Sequence, residues 1–199
     1  MEELTLHHDK ICTKSTEFIF VDSVSEEICD KLVDLYNNPT NLYKVDGKSG
    51  YYVEVNNLAK ESLDVCIPPN YNHPTVHQYF DELQKVVNKY TNAFPFSEYS
   101  RFSMREPMQI QWYPKGGGFK VWHSERINCN IEQIRRHLVF MTYLNDVPNG
   151  GTEWYHQDKY VDAVKGATVI WPADWTFTHR GRVTHEYEKM IVTGWFEYD

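Results

Sequence analysis

Beyond about residue 105 the chain alternates between short runs of β-branched and aromatic side chains and clusters of glycine, proline and asparagine. Gln109–Tyr113 (QIQWY), His137–Asn145 (HLVFMTYLN), Ala167–Pro172 (ATVIWP) and Met190–Tyr198 (MIVTGWFEY) are rich in strand formers. Turn signals separate them: Pro114 with Gly116, Gly117 and Gly118; Asn149-Gly150-Gly151; Lys165-Gly166; and Pro172. Several short strands with no long helix between them predict an all-β barrel or jelly roll, with any helices packed outside it.

The first half carries the helices. In Ser23–Pro39, Ser23 or Ser25 offers an N-cap, and Glu26 and Glu27 suit a first turn. Ile28, Leu32 and Leu35 then form an apolar stripe, and Asn37, Asn38 and Pro39 end it. In His73–Pro95, Val76, Phe80, Leu83, Val87 and Tyr90 recur at helical spacing. Between these helices, Tyr43–Val55 reads as a hairpin turning at Asp46-Gly47 or at Ser49-Gly50. The expected architecture is mainly β with flanking α-helices: a double-stranded β-helix core, jelly-roll or cupin-like, with N-terminal helices outside. Residues 1–199 are read as a single domain, with 1–100 a helix-rich support and 101–199 the jelly-roll catalytic core. No repeat or low-complexity segment interrupts it.

Composition narrows the function classes. Hydrophobic residues make up 41% and aromatics 15% of 199 residues, enough for a sizeable core. A formal net charge of −8 opposes general attraction to phosphate backbones, which counts against a nucleic-acid partner. Cys12, Cys29, Cys66 and Cys129 are scattered without CxxC spacing, against a zinc ribbon and in favour of reduced thiols. The start, MEELTLHHDK, lacks the basic and apolar regions of a signal peptide, and no apolar run approaches the ~18 residues that span a bilayer. A cytoplasmic protein with no membrane partner is expected.

His123-Ser124-Glu125 is the chemical centre of the sequence. Residues two apart on an extended segment project to the same side, so both can reach one ion. With a distant second histidine they would form a 2-His-1-carboxylate triad, which holds iron(II) by one face and leaves the others open. His179, in FTHRG after the ATVIWP run, is the expected partner, and His185 is its rival. Alone the pattern is weak, because HxE occurs by chance and the chain has nine histidines. Lys189, ten residues beyond His179, could receive the far carboxylate of a ligand whose near end chelates the metal. Thr193 lies on the same strand face and could donate to that carboxylate as well.

From about Gln109 to Trp195 the chain resembles the 2-oxoglutarate- and iron(II)-dependent dioxygenases, especially their prolyl 4-hydroxylase-like branch. YPKGGGFKVWHSE looks like that branch's tyrosine, glycine-rich stretch and HxD motif. RHLVFMTYLNDVPNGGTEWY looks like its Arg, strand and Tyr-Leu-Asn segment, and GATVIWP, THRG and EKMIVTGWF look like its closing strands. The resemblance covers somewhat less than half of the chain. It departs at Glu125, where the family usually has Asp, and that carboxylate argues against the halogenating relatives.

The resemblance implies that His123, Glu125 and His179 bind Fe(II), that Lys189 anchors 2-oxoglutarate, and that Tyr113, Tyr143 and Thr193 make further co-substrate contacts. It implies hydroxylation by O2, with 2-oxoglutarate decarboxylated to succinate. The substrate would be an aminoacyl, prolyl-like residue of a protein or peptide, or a small amino acid. The alternatives are a nucleic-acid demethylase of the same cofactor class and a non-enzymatic jelly-roll binding module. The glycines before His123 and the loop Arg126–Arg136 are candidate lids. His73, His77 and His156 read as surface residues, and Arg126, Arg135, Arg136, Arg180 and Arg182 as a possible positive rim.

Overall fold

Ser25 begins the first helix as the spacing predicts, its hydroxyl accepting the Ile28 N–H at 3.3 Å. The computed structural model describes residues 17–49, 54–126 and 131–199. Its first half runs β1 (Phe20–Ser23), α1 (Glu26–Asn37), β2 (Lys44–Asp46), β3 (Lys48–Ser49), β4 (Glu54–Val55), β5 (Lys60–Glu61), β6 (Leu63–Ile67) and α2 (Pro74–Ala93). The second half runs β7 (Phe102–Ser103), β8 (Met108–Tyr113), β9 (Gly118–Phe119), α3 (Ile131–Arg135), β10 (Arg136–Tyr143) and β11 (Val147–Trp154). It closes with β12 (Lys159–Ala163), β13 (Ala167–Pro172), β14 (His179–Gly181) and β15 (Lys189–Tyr198).

The major sheet has the order β1-β13-β10-β15-β8-β6-β2, with β7 added beside β15. A second sheet, β12-β11-β14, faces it, and together they make a double-stranded β-helix. Two cores follow from strand alternation. Leu138, Phe140, Val192 and Phe196 point to one side, where Ile28, Leu32, Leu83 and Val87 of α1 and α2 cover them. Val139, Met141, Ile191 and Trp195 point to the other, against Val147, Trp154 and Val161 of the smaller sheet. Each fully buried aliphatic of this kind contributes about 1.5–3 kcal/mol. β15 lies at the centre, between β10 and β8, and divides its side chains between the two cores.

Three expectations need correction. β1, β2 and β6 come from the first half and enter the major sheet, so the change of composition near residue 100 does not separate helices from strands. Asp46-Gly47 is not a hairpin turn: β2 pairs with β6, and β3 with β4, so the chain changes sheets there. Gly47 N–H donates to Ser62 O, and a Cβ on Gly47 would lie 2.0 Å from Ser62 Oγ, which accounts for a glycine there. The Ser49-Gly50 alternative runs into residues outside those described. Asn149-Gly150-Gly151 lies inside β11, where the pairing register shifts between Val147 and Thr152. Asn149 takes φ 58°, and a Cβ on Gly151 would lie 2.0 Å from Val161 O. The glycines therefore form a bulge and a close strand contact, which local composition cannot distinguish from a turn.

On α2, Tyr79 and Val86 are fully buried where Phe80 is only partly so. Cys29 and Cys66 are free thiols, while Cys12 and Cys129 lie outside the described residues. Among the described residues no helix is long and apolar enough to cross a membrane.

Candidate metal and co-substrate site

His123 and His179 meet through the backbone before their rings do. His123 N–H donates to His179 O at 3.0 Å, and His179 N–H donates back at 2.8 Å, an isolated antiparallel bridge. β14 holds His179 opposite Trp154, and Glu125 N–H donates to Ala173 O at 3.1 Å, so the 123–126 segment is pinned against the turn after β13. Each imidazole is oriented from behind: Nδ1 of His123 donates to Val121 O at 3.0 Å and Nδ1 of His179 to Phe177 O at 2.9 Å. A carbonyl can only accept, so these contacts put the proton on Nδ1 and leave the Nε2 lone pairs free to face inward.

Both Nε2 atoms lie 3.5 Å from Glu125 Oε1. The three ligand atoms lie within 4.8 Å of one another, the only such group of three His, Cys, Asp or Glu among the described residues. Ligands set at right angles, each about 2.1 Å from a first-row ion, stand about 3 Å apart. Two imidazoles and one carboxylate converging on one point therefore fit the facial triad of iron(II). Burial and the neighbouring His179 lower the proton affinity of His123 against the opposing pull of Glu125. Burial opposes ionisation of Glu125, yet His123 and His179 hold its carboxyl well below the usual range.

Lys189 begins β15 opposite Tyr113 on β8. It is 5% exposed, and its ammonium donates to Gly150 O at 2.8 Å and Arg182 O at 3.1 Å. Among the described residues no carboxylate pairs with it, and burial lowers its pKa to about 8. The Gly150 carbonyl comes from the β11 bulge. That bulge therefore serves the site as well as the strand.

One cavity is lined by His123, Glu125 and His179 together with Lys189, Tyr113, Tyr143 and Thr193. The tyrosines are neutral donors, pushed up by burial. Tyr113 OH donates to Gln111 Oε1 and Tyr143 OH to Thr152 Oγ1 at 2.7 Å. Thr193 departs from its expected part, because its hydroxyl proton goes to Phe140 O at 2.9 Å and only its lone pairs remain for a ligand. Among the described residues the other histidines stay apart from this group. His185 is exposed beside Gly116, His73 caps α2, and His156 packs between the rings of Tyr155 and Trp175.

The expected positive rim is largely neutralised: Arg180 and Arg182 share Glu153, and Arg136 pairs with Glu106. Residues 127–130 of the candidate lid are outside those described, and 131–135 form α3.

A second pocket of about 440 Å³ shares His123 and Glu125 with this cavity and is lined by Lys60, Gln109, Gln111, Trp122, Gln133 and Trp195 among others. A wider depression of about 540 Å³ between α2 and residues 98–104 lies away from these groups and contains no histidine. The sequence reading missed Trp195 and Phe119, whose ring stacks on His123 at 3.5 Å between centroids. Trp195 could have been found by carrying the two-residue period on from Lys189 through Thr193.

Residues 108–197 match the family model described as the 2OG-Fe(II) oxygenase superfamily. No curated protein sequence matches the chain. Among solved structures it resembles a viral collagen prolyl hydroxylase from Paramecium Bursaria Chlorella virus-1, with TM-score 0.68, 14% identity and coverage of 94% of this chain and 99% of that one. It also resembles a Pseudomonas putida prolyl-4-hydroxylase, with TM-score 0.66, 16% identity and coverage of 96% of each chain. A third is a Trichoplax adhaerens prolyl hydroxylase in complex with a hypoxia inducible factor oxygen degradation domain peptide fragment, with TM-score 0.70, 14% identity and coverage of 92% of this chain and 84% of that one. At these identities the likeness concerns the fold. The family match lies over the strands that carry the cavity, so residues 108–197 are similar to a 2OG-Fe(II) oxygenase domain, and with the cluster of His123, Glu125 and His179 this supports an oxygenase that uses iron(II), 2-oxoglutarate and O2.

Proposed function

We propose that this oxygenase hydroxylates an aminoacyl residue, prolyl or similar, within a peptide or protein, and that residues 1–199 act as one domain. One observation carries the reading: a single cavity is lined both by a three-ligand cluster and by a buried ammonium that pairs with no carboxylate among the described residues, and a larger pocket adjoins the same cluster. The larger pocket of about 440 Å³ beside the same ligands has room for a residue carried on a peptide chain. The Trichoplax adhaerens structure, which holds a peptide, has the same fold.

His123, Glu125 and His179 would hold iron(II), which with 2-oxoglutarate and O2 would supply the oxidation, one oxygen atom going to succinate and the other to the substrate. The protein's own groups position the reactants. Lys189 receives the distal carboxylate of 2-oxoglutarate as a point charge, and Tyr113 and Tyr143 line the same cavity with their hydroxyl protons held by Gln111 and Thr152. Met141, Trp171 and Ile191 line the cavity and keep water from the reacting end. Phe119 covers one face of His123 and leaves its Nε2 edge open.

The nucleic-acid alternative gains nothing from the larger pocket, where Lys60 is paired with Asp64 and Arg136 with Glu106. The test begins with anaerobic addition of Fe(II) and 2-oxoglutarate, following the visible charge-transfer band of the chelate in wild type, His179→Ala and Lys189→Ala. The band is expected in wild type, absent in His179→Ala, and shifted to higher 2-oxoglutarate in Lys189→Ala. Proline-containing peptides are then screened by mass spectrometry for one added oxygen atom with stoichiometric succinate. Absence of the band from metal-loaded wild type would refute the site, and uptake of oxygen only by methylated nucleic acid would refute the substrate.

A further inference from the structure

The two oxygens of Glu125 are in different hands. Oε1 faces only the histidines, at 3.5 Å from each Nε2. Oε2 receives the indole N–H of Trp195 at 3.0 Å and lies 3.4 Å from the Arg136 guanidinium. Both of these partners are themselves fixed. Arg136 is buried, donates to Glu106 through Nε at 2.6 Å and again through its second terminal nitrogen, and donates to the Glu125 backbone carbonyl at 3.1 Å. Its guanidinium lies 3.7 Å over the Trp195 ring, and β15 carries that ring to the site from the centre of the major sheet.

Glutamate has one methylene more than aspartate and one more rotatable bond, so a free Glu125 could swing to chelate an ion through both oxygens. Two-oxygen binding would take a coordination position that an oxygenase must leave open. We propose that Trp195 and Arg136 are positioning residues that tie up Glu125 Oε2, so that glutamate at this position binds metal through Oε1 alone. The proposal rests on the metal-site reading. It gives the pair a role specific to the longer side chain: an aspartate would withdraw its carboxylate from the indole and guanidinium.

The test is a double-mutant cycle on Co(II) binding, without 2-oxoglutarate or turnover, read by affinity and by the Co(II) visible bands. Trp195→Phe leaves a smaller aromatic ring under Arg136 and removes the indole N–H. A second background, Glu125→Asp, separates the loss of packing from the loss of the hydrogen bond. The substitution should weaken Co(II) binding about tenfold and change the band intensity, as loss of a group that orients a metal ligand does. In the Glu125→Asp background the same substitution should change neither. Arg136→Lys, which keeps the charge and loses the fork, should follow the same pattern and serves if Trp195→Phe melts early.

Equal losses in the two backgrounds would assign Trp195 to packing and overturn the proposal, as would no loss in either. Wild type that binds no Co(II) would overturn the metal site itself, and the positioning role with it.

Discussion

Raising the pH from about 7 to about 9 should weaken 2-oxoglutarate binding about tenfold through Lys189 alone. Burial lowers this ammonium to a pKa of about 8, and it is the charged form that a carboxylate requires. The free protein loses the proton as pH rises through that value, so affinity is fully present below it and falls above it. The charged fraction drops from about 0.9 to about 0.1 across the interval, which is about 1.4 kcal/mol of binding free energy. The assay is calorimetric titration of the Mn(II)-loaded protein with 2-oxoglutarate at constant ionic strength. Lys189→Arg keeps its charge throughout and should give a flat profile, and Lys189→Met should be weak and flat. A wild-type slope that persists in Lys189→Met would refute the reasoning, since another group would then be titrating.

Gly151→Ala should cost about 1–3 kcal/mol in denaturant unfolding, because its methyl meets the Val161 carbonyl and β11 is held between β12 and β14. An unchanged midpoint would mean that the bulge yields. Ser25→Ala should cost about 1 kcal/mol by the same measurement, through loss of the cap on α1 and of the Ser25 hydroxyl bond to Glu82. Co(II) at about a hundredfold its dissociation constant should stabilise the wild type by about 2.7 kcal/mol, and chelation should reverse the gain. His179→Ala should show no such increment in a thermal melt, and a persistent one would place the ion elsewhere.

The long strands and both helices could be read from composition because each carries a periodic signal over many residues. β8, β10, β13 and β15 coincide with the four β-rich runs to within two residues. The grouping of His123 with Glu125 could be expected because the two lie within three residues on an extended segment, and the structure brings His179 to them. β11 and β14 were not found. In β11 the sheet's close packing selects glycine for space, and in β14 only three residues pair. β1, β2 and β6 are short, and their place in the sheet depends on partners far along the chain. The same is true of Trp195 and Arg136, whose relation to Glu125 exists only once β10 and β15 pair.

β15 serves the helices with one set of alternate residues and the cavity with the other, and this limits how the gene can change. Substitutions at Met190, Val192 or Phe196 would be felt by the helical layer, and those at Lys189, Thr193 or Trp195 by the ligands. Adding or deleting one codon between Lys189 and Trp195 would exchange the two sets, placing an ammonium in oil and a methionine where a carboxylate should dock. Lineages of this protein should therefore differ in length between strands and keep the Lys189–Trp195 interval fixed, however far the residues within it diverge.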